Sequence, residues 1–288
     1  MKKLNSLYTL AQKTVFGLGI TALIFSVSCT SEVEPTTAID DSAVEADILA
    51  QADFEEVDDI TLGMMFIAEG GIGGRITDID DDRCHCAVVT HDHENQVITI
   101  DFGDGCTGPN GVVRSGKIII KYDGHRFVSG SYWVVTFEEF YINRRHIEGV
   151  RTVTNISESL MSDPKFHIIL EGGKVTWPDE TFATREVDHV RVWLRAANPL
   201  LDEYHILAES TADGTTRKEI NYSCVVLEDL VYKRVCRGPK NGRIPVAGVK
   251  EVVFGDRTYT IDFGDGECDT IVTVTTNGET KTIDLSDR

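Results

Sequence analysis

From Cys84 onward, apolar residues recur at every second position in short runs separated by Gly, Asn, Asp and Pro clusters. That pattern is the mark of half-buried strands joined by turns. It predicts strands over 87–90 and 96–102 around the polar turn Asp92-His93-Glu94-Asn95, and over 117–122. The long run 131–142 is expected to turn at Asn143-Arg144 and return through 149–155. Strands follow over 165–170 and 174–177 with a turn at Gly172-Gly173, and over 181–194; residues 204–210 are expected to turn at Ala212-Asp213-Gly214 into 218–226. The last runs are 250–254, 258–263, 270–276 and 280–285, with Asn277-Gly278 the strongest hairpin signal among them.

About a dozen strands with short polar turns and no helical period between them predict an all-β, antiparallel meander. Val150, Thr152 and Thr154 alternate with Arg151, Val153 and Asn155, as suits a sheet with one buried and one wet face. A sheet this wide must curl, so a barrel-like or clam-shaped wrap is expected, with a β-sandwich as the alternative.

Upstream the period changes. Ser42-Ala43-Val44-Glu45 has capping-box spacing, and Val44, Ile48, Leu49, Ala52, Val57, Ile60 and Met64 recur near helical spacing. The expectation is one N-terminal helix over about 43–60 that lays an apolar stripe on the sheet. Gly70-Gly71-Ile72-Gly73-Gly74 then reads as a hinge; with no strand before it and no helix after it, it is not a phosphate loop.

The first residues carry Lys2, Lys3 and Lys13 ahead of an apolar run from Thr14 to Ser28, short for a bilayer span and right for a signal segment. The run ends Ser26-Val27-Ser28-Cys29, which resembles a bacterial lipobox, although Ser26 stands where leucine is usual. The resemblance implies cleavage before Cys29 and its lipidation, and acyl chains buried in lipid hold a protein on a membrane. Residues 30–41 are polar and read as a tether, with Glu32 and Glu34 similar to signals that send lipoproteins to the cell surface. The chain thus divides into a signal peptide (1–28), a tether (29–41), the helix and hinge (42–74) and a single β domain (75–288). Loss of 1–28 takes the formal charge from −19 to −22, and a surface this acidic repels nucleic-acid phosphates, so nucleic acid is rejected as a partner.

The heptad Thr99-Ile100-Asp101-Phe102-Gly103-Asp104-Gly105 recurs unchanged as Thr260 to Gly266, each copy followed by a cysteine, Cys106 or Cys268. It reads as a strand running into a glycine turn. Gly103, Gly105, Gly264 and Gly266 supply the backbone freedom, Asp104 and Asp265 bond neighbouring amides, and Phe102 and Phe263 point into the core on the side opposite Asp101 and Asp262. Setting Cys29 aside leaves six cysteines, an even number suited to disulfides in an oxidising compartment. Hairpin geometry brings Cys86 to Cys106 and Cys236 to Cys268; Cys84 and Cys224 remain and are paired by elimination.

F-G-D-G also resembles the turn of PKD domains, but the G-x-Y-x-V segment here, Gly130 to Val134, lies too far from the first copy, and two such domains do not fit. A closer resemblance is to uncharacterised bacterial envelope lipoproteins with paired F-G-D-G/cysteine hairpins. It is carried by Thr99–Ile120, Val134–Asn143, Glu148–Asn155, Cys236-Arg237, Val246–Gly248 and Asp262–Asp269. That resemblance implies export, lipidation and an all-β fold, and supplies no activity.

Little else points to chemistry. Cys84-His85-Cys86 with His91 and His93 has the residue types of a metal cluster, but disulfides explain the cysteines better. Asp78-Ile79-Asp80-Asp81-Asp82 imitates the start of a calcium loop, but lacks the glycine and glutamate that complete one. There is no G-x-S-x-G, H-E-x-x-H or P-loop lysine. Trp133, Trp177 and Trp193 are a candidate sugar platform, with core packing as the competing role. The sequence therefore points to a non-catalytic, lipid-anchored protein of the outer membrane, on a face left undecided. It would be a structural, adhesion or ligand-binding module with no cofactor and no resident metal, its partners the membrane and a glycan or envelope protein. The alternatives are a carbohydrate or lipophile binder using the concave sheet face, and a metal-dependent hydrolase.

Overall fold

The computed structural model describes residues 41–68, 82–108, 111–236 and 244–286. The expected signal peptide, Cys29, the tether up to residue 40, the glycine hinge and the acidic run at 78–81 lie outside them. Helix α1 (Asp41–Ala68) comes first. The strands follow as β1 (Val88–Asp92), β2 (Val97–Asp101), β3 (Cys106–Thr107), β4 (Val113–Asp123), β5 (Tyr132–Ile142), β6 (Arg145–Asn155), β7 (Lys165–Thr176) and β8 (Phe182–Leu194). They continue as β9 (Glu203–Ile206), β10 (Thr211–Thr215), β11 (Asn221–Lys233), β12 (Ala247–Phe254), β13 (Arg257–Asp265), β14 (Ile271–Thr276) and β15 (Glu279–Asp284).

Among the described residues these fifteen strands make one sheet, and sequence neighbours are sheet neighbours almost throughout. The fold is the antiparallel meander that the alternation predicts. One strand position, between β8 and β11, is filled by two short strands in tandem: β9 pairs with the far end of β8 and β10 with its near end. The path ends at β1 and β15, which do not pair, so the sheet stays open rather than closing into a barrel.

The curl is visible in what surrounds α1. Side chains of this helix bond to β4, β6, β8, β11 and β12, so the sheet wraps around it. Enclosure corrects the expectation of a stripe. The helix runs on to Ala68 rather than ending near 60, and it buries Asp47, Gln51, Asp53, Glu55, Asp58 and Asp59 as well as Val44, Ile48, Phe54, Val57, Ile60 and Met65.

Two ion pairs fix its direction. Asp47 bonds Arg185 and Asp59 bonds Arg191, both cations on β8. Twelve residues of helix rise about 18 Å, and six residues of strand about 20 Å. The helix therefore lies nearly parallel to β8. It starts beside the rim of tight connections, among them Asn143-Arg144, 177–181, 216–220 and Asn277-Gly278, and Ala43 and Ala46 share a hollow there with Thr181 and Thr216. It ends toward the rim of longer loops (124–131, 156–164, 195–202), where the Arg126 guanidinium donates to the Leu62 carbonyl at 2.7 Å.

Two predicted turns are strand instead. β7 runs unbroken through Gly172 and Gly173, with a register shift against β8 between Leu170 and Gly173. A Cβ on Gly173 would sit 2.3 Å from the Arg185 carbonyl oxygen, so the glycine serves a close strand approach rather than a reversal. Ala212-Asp213-Gly214 likewise lies inside β10, and the chain reverses later, at 216–220.

The two heptads make the same local device. Asp101 Oδ1 accepts from the Gly103 amide and Asp262 Oδ1 from the Gly264 amide, each at 2.8 Å, with both glycines at positive φ. The turn-forming carboxylates seen here are thus Asp101 and Asp262, where Asp104 and Asp265 were expected, because an Asx turn bonds the amide two residues on. Phe102 and Phe263 are buried. Beyond the turn the copies diverge: Cys106 starts β3, which folds back on β4, while β13 continues to pair with β12 at Asp265.

Disulfides join Cys86 to Cys106 and Cys236 to Cys268. The Cys84–Cys224 bridge does not form. Cys224 lies in the electrostatic reach of Asp47, whereas Arg83, next to Cys84, reaches Asp59 at 3.6 Å. Those two stations are about 18 Å apart along α1, far beyond the roughly 7 Å limit between bridged Cα atoms.

Candidate functional site

The concentration of unusual chemistry lies between α1 and the concave face of the sheet. Strand parity puts it there. On β8, Arg185, Val187, His189, Arg191 and Trp193 share one face, and all five are buried. On β6 the inward set is Arg151, Val153 and Asn155. The sheet thus aims cations at the helix from a face that is otherwise apolar.

Asp47, Asp53, Glu55, Glu56, Asp58 and Asp59 on the helix each meet one or more of them. Lys250 Nζ and Arg185 Nη1 both donate to Asp47, at 2.6 Å each, and Lys250 also donates to Gln51 Oε1 at 2.8 Å. The Gln51 amide donates on to the Tyr232 hydroxyl at 2.6 Å. Arg145 grips Asp53 with two parallel bonds of 2.7 and 2.6 Å, Arg151 does the same to Asp58, and Arg114 holds Glu56. Arg191 Nη2 donates to Asp59 at 2.5 Å. Such fork-to-carboxylate pairs fix geometry as well as charge.

Burial raises the Asp47 carboxyl pKa, but Lys250 and Arg185 outweigh it and hold the group below the ordinary carboxylate range. Glu55 is different. Burial dominates; Arg191 and Arg151 pull its pKa down from 3.4 and 3.8 Å while Asp58 and Asp59 push it up, leaving it raised to about 7. His189, buried beside Arg151, Arg191 and Arg185, is held well below its ordinary value and is a neutral imidazole near pH 7. Its Nε2 stands 4.0 Å from Glu55 Oε1 and has no hydrogen-bond partner among the described residues; neither has Arg151 Nη1.

The Glu55 shift has a direct consequence. An acid whose folded pKa lies above its unfolded value adds stability that is complete below about pH 4.5 and lost as pH climbs to about 7. Glu55→Gln removes this titration. The variant should match the parent near pH 5 and exceed it at pH 8 by up to about 3 kcal/mol in denaturant unfolding. A difference that stays flat with pH would show that Glu55 does not titrate in this range.

Glu55, Asp58 and His189 are also the group among the described residues whose ligand atoms gather within 4.8 Å, as a metal site would need. The surroundings do not suit a cation. Both oxygens of Asp58 are engaged by Arg151, and Arg191 approaches Glu55 and Asp58.

The other sequence candidates are dispersed. Cys86 is tied to Cys106, His91 Nε2 lies 2.7 Å from the Tyr122 hydroxyl, and the His93 ring lies tilted against His91 with centroids 3.7 Å apart. Trp133 and Trp193 are core residues, and Trp177 is covered by the Arg217 guanidinium, so the three make no open platform. The concave face, which the alternative reading would use to bind a carbohydrate or lipophile, carries α1. The heptad aspartates lie on exposed turns away from the network. Sequence reading missed the network because it treated helix acids and strand cations as solvent-facing. The signal was available in parity: Arg185, His189 and Arg191 fall on the face of Val187 and Trp193.

No protein-family model matches this chain, and no curated protein or solved structure does. Among the described residues no helix is long and apolar enough to cross a membrane.

Proposed function

We propose that the protein is a non-catalytic envelope lipoprotein, anchored through Cys29 in the outer membrane, that offers its long-loop rim to an envelope protein or glycan. The observation that carries this reading is the filled interior: α1 occupies the concave face with paired charges, which leaves the loops as the surface available for recognition. Leu160, Met161, Leu200, Leu201 and Val235 are exposed on those loops. The 3₁₀ turns that carry Leu200, Leu201 and Val235 pack together, joined by the Arg234 amide on the Asp202 carbonyl at 3.0 Å. α1 starts at the tight-turn rim, and the long loops lie at the opposite rim. The signal-like leader, the lipobox resemblance and the two disulfides support the envelope setting.

The test is Cys29→Ser in the native host. The parent should fractionate with outer membranes and show an intact mass equal to residues 29–288 plus a lipid modification. The variant should lose that added mass and leave the membrane. A parent chain that is soluble and unmodified would refute the anchor.

A further inference from the structure

The break between β9 and β10 opens a small cavity against α1, with a volume of about 20 Å³ and Ser210 on its wall. Room of that size holds about one water-sized particle. Six ionisable side chains also line it: Arg151, Arg185 and Lys250 as cations, Glu55, His189 and the Cys224 thiol. From this lining we propose that the cavity is a binding site for one small monovalent anion of halide size, held by Arg151 Nη1 and by His189 Nε2–H.

Three observations carry the assignment. First, the two atoms without partners belong to buried side chains that line the cavity, Arg151 being wholly buried and His189 only 6% exposed. A guanidinium offers hydrogens and no lone pair, and neutral histidine protonated at Nε2 offers another hydrogen, so both atoms call for an acceptor. Second, the rest of the wall repeats this bias. Lys250 Nζ is donor only, and Ser210 Oγ already accepts from the Val190 amide at 3.3 Å, which leaves its hydrogen to give. A water would need acceptors in return; the wall offers the Glu55 carboxylate, the Thr211 hydroxyl and a Gln51 oxygen that already accepts from Lys250. Third, the local charge count leaves a place for an anion. Arg83, Arg151, Arg185, Arg191 and Lys250 face Asp47, Asp58, Asp59 and Glu55, so the cluster holds an excess of positive charge that protonation of Glu55 increases, in a buried, low-dielectric space.

Proton and anion uptake are therefore coupled. Glu55 is faced by Asp58 and Asp59 from its own helix, by Arg151 from β6, by His189 and Arg191 from β8, and by Tyr232 from β11. Glu55 titrates near neutrality, so halide affinity should rise as pH falls through about 7.

The experiment uses the whole chain, with bromide and chloride as probes and gluconate as the bulky control at constant ionic strength. The unfolding equilibrium constant should fall about tenfold for each tenfold rise in free halide above the dissociation constant, with the fall beginning at lower halide at pH 6 than at pH 8, and stay flat in gluconate. Crystals soaked in bromide should give an anomalous peak in the cavity, within hydrogen-bond distance of Arg151 Nη1 and His189 Nε2. In Glu55→Gln the halide response should persist and lose its pH dependence. Equal stability in halide and gluconate, with no bromide peak in the cavity, would overturn the proposal and leave the space to water.

Discussion

Deleting residues 41–68 should abolish the fold. Helix α1 buries Val44, Ile48, Phe54, Val57, Ile60, Met64 and Met65, and each such side chain contributes about 1.5–3 kcal/mol when removed from water. Their sum, on the order of 10–20 kcal/mol, matches or exceeds the roughly 5–15 kcal/mol by which whole domains are stable. The loss is compounded by charge. Without the helix, Arg114, Arg151, Arg185, Arg191 and Lys250 would face one another across an empty interior. The expected result is a chain with no cooperative unfolding transition by circular dichroism and no dispersed amide spectrum. Adding a peptide of residues 41–68 in trans should restore both. A helix-free chain that still unfolds cooperatively would show that the sheet stands alone.

The second large effect concerns Arg151 and Asp58, a bidentate pair with both side chains buried. Arg151→Met should cost about 3–5 kcal/mol, because it strands Asp58 as a buried charge without its partner. Asp58→Leu should cost a similar amount for the mirrored reason. The double variant removes both charges and should be far less destabilised than the two singles added together, since replacing a buried ion pair by apolar groups is often close to neutral. Denaturant titrations of all four proteins form the cycle. Additive costs would mean that neighbours such as Glu55 and Arg191, rather than the pair itself, govern the site.

The legible part of the fold is what depends on local chemistry. Asn277-Gly278 was readable as a hairpin turn because both positions need positive φ, and both have it, at 49° and 80°. The two hairpin disulfides followed from strand pairing in the same way. Glycines misled where their purpose was nonlocal. Gly173 and Gly214 look like turn residues, but a Cβ on either would lie within 2.3 Å of a carbonyl on β8, a neighbour that no local window contains. The helix was visible in its apolar spacing, whereas the burial of most of its circumference, acids included, was not. Asp47, Glu55, Asp58 and Asp59 are tolerated inside only because Arg185, Arg151, Arg191 and Lys250 arrive from strands far along the chain. For the candidate site, one half of the evidence was present as parity on β8. The other half, the facing of helix and sheet, exists only in three dimensions.

The enclosure of α1 also sets an order of events during synthesis. Asp47 and its partner Lys250 are separated by 203 residues, so the first element made waits for nearly the last strands before its charges are matched. Contacts of that sequence separation slow folding, since the intervening loop must be closed before the contact can reward it. Meanwhile the acids of the helix keep it hydrated rather than sticky. The same side chains that become a buried lattice of ion pairs thus serve first as the helix's own guard against premature association.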